Sequence, residues 1–417
     1  MGRLWNTGLV LTLLPLLAGH TRAEHAQEPV YGGKPLSYWI DELSSRTYSR
    51  DPRLNAFVAL RQIGAPAVLS LADLLNHQSA EVRRHGAYIL ATIGPEAKAA
   101  VPALTAMLQD KLPELRAKAA EALGQIGPEA KASIPILAGL LRDTEPHPFP
   151  PHGVWRVGDY AAAALASIGP ESVPVFVDGL KDADSAARWR AAETLGRLHL
   201  NAHEVVPALI SALTDTDAPV RAVVVQALGN FGSDAKSAVD ALIPMLDDQG
   251  TYQIGIHGGP RPVCLDTGEA LKEIGLTVDE VPAFVKFLEH PASKVRSQAA
   301  ELLGYLGPLA HEAIPALTAA LPDRESRVAA AHALARIDLA NRQAMGVLIS
   351  ALDDPDDVVR WEALRALADL GPSSPLKNSG RVRETHLFSR FVACSTRPTG
   401  FFNRLLEPVL PSLPSTS

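Results

Sequence analysis

Aromatic residues and cysteines are scarce in this chain, and charge of neither sign dominates. Aromatic side chains make up 5% of the 417 residues, charged side chains make up 20%, and the net charge is −7 at pH 7. Because such a chain has no overall attraction for nucleic acid or an anionic membrane, we expect neither as a general partner. Cys264 and Cys394 are the only cysteines, and no Cys and His spacing resembles a zinc site. The sequence leaves undecided whether these two cysteines form a disulfide.

Long apolar runs are also missing, except for one at the N-terminus. Arg3 precedes an apolar stretch at residues 9–18, and Ala23 ends an acceptable cleavage site. The stretch is too short to span a bilayer comfortably. We therefore expect residues 1–23 to be a secretory signal peptide, residues 24–35 to be a linker, and the protein to be exported to the periplasm, cell envelope or extracellular space. An uncleaved anchor is the alternative.

The strongest pattern that is present is an internal repeat with ten copies. Each copy places a Leu four positions before a residue that is Gly in eight copies, and successive leucines lie 30 to 43 residues apart. The leucines are Leu60, Leu90, Leu123, Leu165, Leu195, Leu228, Leu271, Leu303, Leu334 and Leu367. A period of about 34 residues is typical of solenoids, in which each unit buries its apolar face only against its neighbours. The pattern predicts an all-α solenoid of about ten helix pairs over residues 36–372.

Residues 95–127 show the expected unit. Pro102 suits the first turn of a short helix at residues 101–108, because its missing N–H has no partner there. A second helix is expected at residues 114–126, where Ala120, Leu123 and Ile126 follow a helical spacing. Gly127 can adopt the left-handed conformation that ends a helix.

Arginine stands eleven positions before the repeat-ending residue in eight copies, and an acid often precedes it in the turn. The arginines are Arg53, Arg83, Arg116, Arg188, Arg221, Arg296, Arg327 and Arg360. This recurrence predicts a ladder of ion pairs and helix caps along one edge, with a structural role.

The repeated strings of the type Val-Arg…Ala-Ala…Ala-Leu-Gly…Gly-Pro, as in residues 114–128 and 294–308, resemble HEAT repeats. They are most similar to the short bacterial type related to phycobilisome-lyase HEAT-like repeats. Residues 31–40 also look like the lead-in of secreted bacterial members, with residues 36–43 as the first helix. The resemblance implies a right-handed, armadillo-like α–α superhelix that usually binds other proteins on its concave face.

Two turns inside repeats are longer than the others by 9 or 10 residues, and they replace the ladder arginine by Gly158 and Cys264. They cover residues 144–159 and 249–266. Because local breaks in a consistent pattern often carry function, these loops are candidate binding elements. One interpretation is that they only cover the solenoid edge. A second is partner or glycan binding through Trp155, Arg156, Tyr252 and Arg261, which are residue types common in binding hot spots.

A third interpretation of the loops is a metal site. Its weak candidate ligands are His147, His152, Asp159, His257 and Asp266, whose nitrogen and oxygen donors suit zinc or iron. Their spacing matches no strong motif. We therefore predict no metal and no cofactor.

The second helix of each repeat supplies further candidates for partner binding. Positions ten, nine and six before the repeat-ending residue are expected to face outward, and they hold Trp189, Arg190, Trp361 and Arg365. Stacking of each Trp on a neighbouring Arg is the structural alternative.

The sequence offers no catalytic set above background, with no phosphate-binding Gly-rich loop and no nucleophile elbow. The leading prediction is a non-catalytic scaffold for protein–protein interaction. A metal-dependent, hydroxylase-like or lyase-like enzyme on the same scaffold is the alternative.

Residues 373–417 lack the repeat and carry six basic against two acidic side chains. A disordered basic tail is expected there. Membrane contact is expected only through this tail or an uncleaved signal, and a reading-frame scar is a further explanation of the abrupt change.

Overall fold

The computed structural model describes residues 28–44, 50–146, 155–253 and 259–370, with side chains from residue 55 onward in the second range. The signal-like segment and the basic tail therefore lie outside the described residues. The α-helices are α1 (Leu36–Ser44), α2 (Arg50–Ile63), α3 (Val68–Leu74), α4 (Ala80–Ile93), α5 (Val101–Met107), α6 (Pro113–Ile126), α7 (Ile134–Gly139), α8 (Val157–Ile168), α9 (Val173–Gly179), α10 (Ser185–Leu198), α11 (Ala202–Ala212), α12 (Ala218–Asn230), α13 (Val239–Leu242), α14 (Val263–Ile274), α15 (Val281–Phe287), α16 (Ser293–Leu306), α17 (Ile314–Ala320), α18 (Arg327–Ile337), α19 (Arg342–Ala351) and α20 (Asp357–Asp369).

Short 3-10 turns and two small hairpins complete the described elements. The 3-10 turns are Ala65–Ala67, Gly94–Ala100, Gly127–Ser133, Leu140–Arg142, Pro170–Ser172, Gly232–Ala238, Ile243–Asp247, Val278–Glu280 and Gly307–Ala313. The antiparallel strand pairs are β1 (Val30–Tyr31) with β2 (Lys34–Pro35), and β3 (Thr251–Gln253) with β4 (Pro260–Pro262). The first hairpin lies within the segment that the sequence predicted to be a linker, and the indole N–H of Trp39 donates to the carbonyl of Tyr31 at 3.2 Å.

The helices alternate as a short first helix and a second helix of 11 to 14 residues. This confirms the predicted all-α helical solenoid. The chain forms two compact units: Met1–Leu137 with Glu145–Ile168, and Ala138–Thr144 with Gly169–Ser417. In the first unit, α6 packs between α4 and α8. In the second, α12 packs between α10 and α14, and α16 packs against α18.

The repeated leucine is the centre of this packing. Every one of the ten leucines is buried, with an exposed fraction of 5% or less. Burial of one leucine side chain contributes about 1.5–3 kcal/mol to folding. Because second helices pack against neighbouring second helices within each unit, stability comes from neighbours along the chain.

The repeat-ending glycine adopts a conformation that differs from the expected one. Gly127 donates its N–H to the carbonyl of Leu123, as a helix end requires, but its φ is 72° and its ψ is −137°. The expected left-handed C′ conformation has ψ near +47°. The reason is that residue 127 also begins the 3-10 turn Gly127–Ser133, so the chain must reverse at once into the next helix. His199, which replaces this glycine in one repeat, is left-handed instead.

The Arg–Asp ladder is present, and its connectivity joins successive repeats. Within the second unit, Arg188 donates two hydrogen bonds to Asp215, at 2.6 and 2.9 Å, and Arg221 does the same to Asp248. Each acceptor lies 27 residues after its arginine. The other guanidinium nitrogen of Arg221 binds the carbonyls of its own turn, at Asp215 (2.8 Å) and Thr216 (3.2 Å). The same 27-residue step joins Arg83 to Asp110, Arg296 to Asp323 and Arg327 to Asp354.

Each ladder aspartate also caps its own turn. Asp248 accepts the N–H of Gly250 at 2.8 Å, and Asp215 accepts the N–H of Asp217 at 2.9 Å. Burial alone would raise the pKa of Asp248, but the hydrogen bond from Arg221 and the Gly250 N–H hold that pKa below its usual value. The same aspartate therefore both contacts the preceding repeat and stabilises the conformation of its own turn.

Where a long loop interrupts the ladder, other residues take over. Gly158 cannot supply an arginine, and Arg142 reaches Asp182 instead, with its Nε 2.9 Å from both carboxylate oxygens. After the second long loop, His290 stands in the aspartate position and its ring lies 3.1 Å from Asp247. Arg53 lies outside the described side chains.

Among the described residues, no single helix has both the length and the apolar character needed to cross a membrane. One bent pair, Asn55–Ile63 with Ala65–Leu74 at 108°, passes that test by length and composition when taken together.

Two helical glycines are predicted to respond to alanine substitution with opposite changes in folding stability. One lies where α10 closely approaches α12, and the other lies in open space on α19. A Cβ on Gly196 would lie 2.7 Å from the Cα and Cβ of Ala227, whereas a Cβ on Gly346 would meet nothing within 4 Å. We expect Gly196→Ala to destabilise by about 1–3 kcal/mol through overpacking. Gly346→Ala should stabilise by about 0.5–1 kcal/mol through reduced backbone entropy. Melting temperatures by circular dichroism test this, and equal shifts would contradict it.

The ladder gives a second prediction. Arg221→Met leaves the mostly buried carboxylate of Asp248 without its ion-pair partner. We expect a loss of about 1–3 kcal/mol, measured by urea unfolding. Arg197→Met is the matched control, because its ion pair with Glu193 lies outside the ladder, spans 4.0 Å and has both side chains exposed (68% and 39%), so it is screened. Its loss should stay below about 1 kcal/mol, and a loss as large as that of Arg221→Met would refute the structural role of the ladder.

Candidate binding groove

Several predicted site residues line an open groove in the second unit, with a volume of about 720 Å³. We call it the α10–α12 groove. Its lining residues come from three second helices and the β3–β4 hairpin: Trp189, Glu193, Pro219, Ala222, Val223, Gln226, Tyr252, Gln253, Arg261 and Asp266. The groove therefore combines an apolar floor with a polar wall.

The apolar side of the groove follows from the repeat pattern. On α10, Ala187 and Ala191 are fully buried, whereas Trp189 points outward with 37% of its surface exposed. On α12, Pro219 occupies the first turn and Val223 lies one helical turn further along. Because α10 and α12 pack closely through Gly196 and Ala227, large side chains at their outer edges line a groove.

The second long loop supplies the polar wall. Tyr252 on β3 faces Arg261 on β4, and the N–H of Val263 donates to the carbonyl of Gly250 at 2.9 Å. The expected loop at residues 249–266 is thus a hairpin that leads directly into α14. Residues 254–258 at its tip, including His257, lie outside the described residues.

Asp266 organises this wall from its place in the first turn of α14. Its side chain is buried, and it accepts hydrogen bonds from the Tyr252 hydroxyl (2.8 Å) and from Nε of Arg261 (2.7 Å). Gln226 of α12 donates to the Tyr252 oxygen at 3.0 Å. The network joins the hairpin to two helices and holds Tyr252 and Arg261 at the groove.

The same network shifts the acidity of Tyr252. Burial and the hydrogen bond to Asp266 raise the pKa of Tyr252 from its usual value near 10 to about 12. The hydroxyl therefore stays protonated at neutral pH and acts as a hydrogen-bond donor.

The weak metal candidates have other contacts where the structure describes them. Asp266 is engaged by Tyr252 and Arg261, and Asp159 accepts the N–H of Arg156 at 2.7 Å. His147 and His152, like His257, lie outside the described residues. Across the described ranges, no group of three or more His, Cys, Asp or Glu residues could hold a metal ion.

Cys264 fills the ladder position of the second loop as a buried residue. Its backbone N–H donates to the carbonyl of Asp248 at 3.2 Å. Burial raises the pKa of its thiol, so the group remains protonated. Cys394 lies outside the described residues.

The first long loop is described only at its two ends, in the first unit. Pro146 and Arg156 form an isolated antiparallel bridge, and the ring of Trp155 packs edge-on against Tyr160 with centroids 5.1 Å apart. Trp155 remains 42% exposed. Trp155 and Arg156 are therefore at the surface, as expected of the loop.

Arg190 does not face outward as the sequence pattern suggested. Only 3% of the residue is exposed, and its Nη1 donates to the carbonyl of Leu141 at 2.7 Å. Leu141 lies in the 3-10 turn before the first long loop, where a helix end leaves carbonyls without helical partners. The long arginine side chain satisfies one of them, so its role here is structural.

Trp361 and Arg365 lie on α20, at the other end of the second unit from α10 in chain order. Trp361 is 52% exposed, and the Arg365 guanidinium lies over its ring, 5.3 Å from the centroid. Trp361 thus stacks on Arg365, which lies four residues further along α20.

Val223 and Gln226 are groove residues that the sequence candidates did not include. They occupy the positions nine and six residues before their repeat-ending Gly232, which are positions expected to face outward. The repeat register therefore contained the signal for both. Only the packing of α12 beside α10 places them in one groove with Trp189.

Comparison with known proteins agrees with this architecture. A family profile described as HEAT repeats matches residues 68–148, 173–253 and 314–377. Among solved structures, a chain of the Kap95:Nup1 complex matches with a TM-score of 0.59 and 13% identity, covering 88% of this chain and 55% of that one. This chain thus spans about half the length of that neighbour, and the likeness concerns the fold alone.

Two further structures match less closely in three dimensions. An engineered protein has a TM-score of 0.39 and 25% identity, covering 80% of this chain and 98% of its own. The complex of CpcE and CpcF of phycocyanin lyase from Nostoc has a TM-score of 0.30 and 23% identity, covering 60% of this chain and 92% of that chain. No curated protein sequence matches this chain.

The Tyr252 network gives a titration test. The raised pKa stabilises the folded state fully below the ordinary tyrosine pKa near 10, and this contribution is lost as the pH rises through about 12. The difference in tyrosinate absorbance between wild type and Tyr252→Phe should therefore have its midpoint near 12. Asp266→Asn should move that midpoint towards 10, because the hydrogen bond to a carboxylate is removed. An unchanged midpoint would show that Asp266 does not hold Tyr252.

Proposed function

Because this chain belongs to the HEAT-repeat family, we propose that it is a non-catalytic scaffold that binds an extended segment of a protein partner in the α10–α12 groove. The outward sides of the second helices and the two long loops form the binding surface in this proposal. No cofactor is needed for such a role.

The observation that carries the proposal is the composition of the groove. Trp189 and Val223 offer apolar surface, and the wall formed by Tyr252, Arg261 and Asp266 is already internally hydrogen-bonded. Such a site favours burial of an apolar side chain beside a preorganised polar rim, which is the arrangement of binding hot spots. It offers no paired nucleophile and base for catalysis.

Three further points support a protein as the partner. Trp, Tyr and Arg are the residue types enriched in protein interfaces, and all three line this groove. The solvent-exposed second helices present a repeated surface, which suits a long partner segment. The neighbour of highest TM-score given above, Kap95, forms a complex with another protein, Nup1.

The first long loop extends the proposal within the first unit. Trp155 and Arg156 are exposed and flank the start of α8, so they are available to a partner. Export through the N-terminal segment remains a prediction from the sequence, as does the absence of nucleic acid and membrane partners.

A peptide selection tests the proposal. A phage library of random 16-residue peptides is selected on the full chain, and the affinities of enriched peptides are measured by fluorescence anisotropy. We expect Trp189→Ala to weaken binding at least about tenfold, because truncation of a central Trp typically removes about 2 kcal/mol.

The matched control is Tyr38→Ala, which truncates an aromatic side chain at the same 37% exposure on α1, outside the proposed binding surface. Its effect should be about twofold or less, and both variants should keep the wild-type circular dichroism melt. Peptides that bind Trp189→Ala as tightly as the wild type would place the binding surface elsewhere and refute the groove.

A further inference from the structure

A second, smaller cavity in the same unit lies between α14, α16, α18 and α20. We call it the α16–α18 cleft. It has a volume of about 220 Å³, and its side chains are mostly charged: Lys272, Glu301, Gly304, Tyr305, His332, Ala333, Arg336, Arg365 and Asp369. The cleft shares helix α14 with the α10–α12 groove, because Asp266 lines the groove and Lys272 lines the cleft.

Most of the charges in the cleft already have partners. Arg336 donates to Asp369 at 2.7 Å and to the carbonyl of Gly304 at 2.9 Å. His332 lies 3.0 Å from the same Asp369 oxygen. Burial alone would raise the pKa of Asp369, but Arg336 and His332 together hold it below its usual value. Asp369 is therefore ionised and neutralises Arg336.

His332 and Lys272 add little uncompensated charge. Burial lowers the pKa of His332 despite its contact with Asp369, so the ring is neutral at physiological pH. Lys272 lies 3.1 Å from Glu269, outside the cleft.

Arg365 differs from these groups. Its nearest acid is Glu301 at 3.7 Å, which is beyond hydrogen-bond distance, and within the described part of the chain its guanidinium donates no hydrogen bond. Burial raises the pKa of the neighbouring Glu362, and the charge of Arg365 opposes this shift. The Arg365 side chain is 61% exposed, and its stacking on the Trp361 ring positions the planar guanidinium group at the cleft. A guanidinium held in this way is suited to bidentate binding of a carboxylate.

The distance between groove and cleft defines what could bind both. Asp266 and Lys272 are six residues apart on α14, which is about 9 Å along the helix axis. The two anchoring side chains are farther apart, because Trp189 lies on α10 and Arg365 lies on α20, with four second helices between them. Five helix spacings of about 8–10 Å give a separation on the order of 40 Å, which about twelve extended residues span.

We infer that the partner segment has two anchors: an apolar or aromatic side chain bound against Trp189 in the groove, and an acidic side chain about twelve residues away, bound by Arg365 in the cleft. This inference rests on the proposed function and specifies the chemistry of the partner.

The peptide selection described above also tests this inference. Enriched peptides should share an apolar or aromatic residue and an Asp or Glu at that spacing. Replacing the peptide's acid by its amide should weaken binding to the wild type about tenfold. Arg365→Gln should lose a similar factor and should no longer respond to the amide replacement, because the two changes remove the same contact.

Arg324→Gln is the matched control, since Arg324 is 69% exposed in the same unit and does not line the cleft. It should bind like the wild type and respond fully to the amide replacement. If enriched peptides depend on Trp189 but carry no acid, or if Arg365→Gln binds them equally well, the acidic anchor is overturned while the groove stands. If binding depends on neither Trp189 nor Arg365, both proposals are overturned.

Discussion

The contact between an arginine of one repeat and an aspartate 27 residues later is the interaction on which the rest of the structure depends. It is bidentate at Arg188 and Arg221, and the same aspartates cap the turns of their own repeats. Apolar burial alone would allow neighbouring helix pairs to slide, because hydrophobic attraction has no direction. The guanidinium–carboxylate geometry restricts that freedom and sets the register in which the repeated leucines meet.

This constraint also explains where the chain can depart from its repeat. The two lengthened turns are those whose repeats lack the arginine that would pair forward, with Gly158 and Cys264 at its position. Arg142 replaces it at Asp182, and at the second loop His290 stands where an aspartate is expected. The freed turn at residues 249–266 becomes a hairpin, and Asp266 draws Tyr252 and Arg261 onto the solenoid. The groove thus forms where the repeat pattern is interrupted at residues 249–266 and where hydrogen bonds to Asp266 hold the additional residues against the helices.

The proposed binding surface has features that a scaffold must combine. The groove presents apolar surface that is not required for the core, since Trp189 lies outside the buried alanine face of α10. Its polar wall is satisfied internally, so a partner need not displace strong hydrogen bonds to enter. At the cleft, Arg365 stacks on Trp361 and, among the described residues, has Glu301 as its nearest acid, at 3.7 Å. Apolar contact gives affinity, and a charged contact at a defined distance gives selectivity between partners.

The sequence alone determined the helix pairs, their number, the buried leucine in each and the existence of the Arg–Asp ladder, because these features repeat and follow from local periodicity. It also identified Trp189, Tyr252, Arg261 and Asp266 as candidates without indicating that they meet. Only the tertiary structure decided that an arginine pairs forward into the next repeat, that Arg190 turns inward to the carbonyl of Leu141, and that Val223 and Gln226 complete the groove. The reason is that periodicity reports the face of a helix on which a residue lies. Which side chains share a cavity depends on the packing of helices more than thirty residues apart and on a hairpin whose course no repeat pattern encodes.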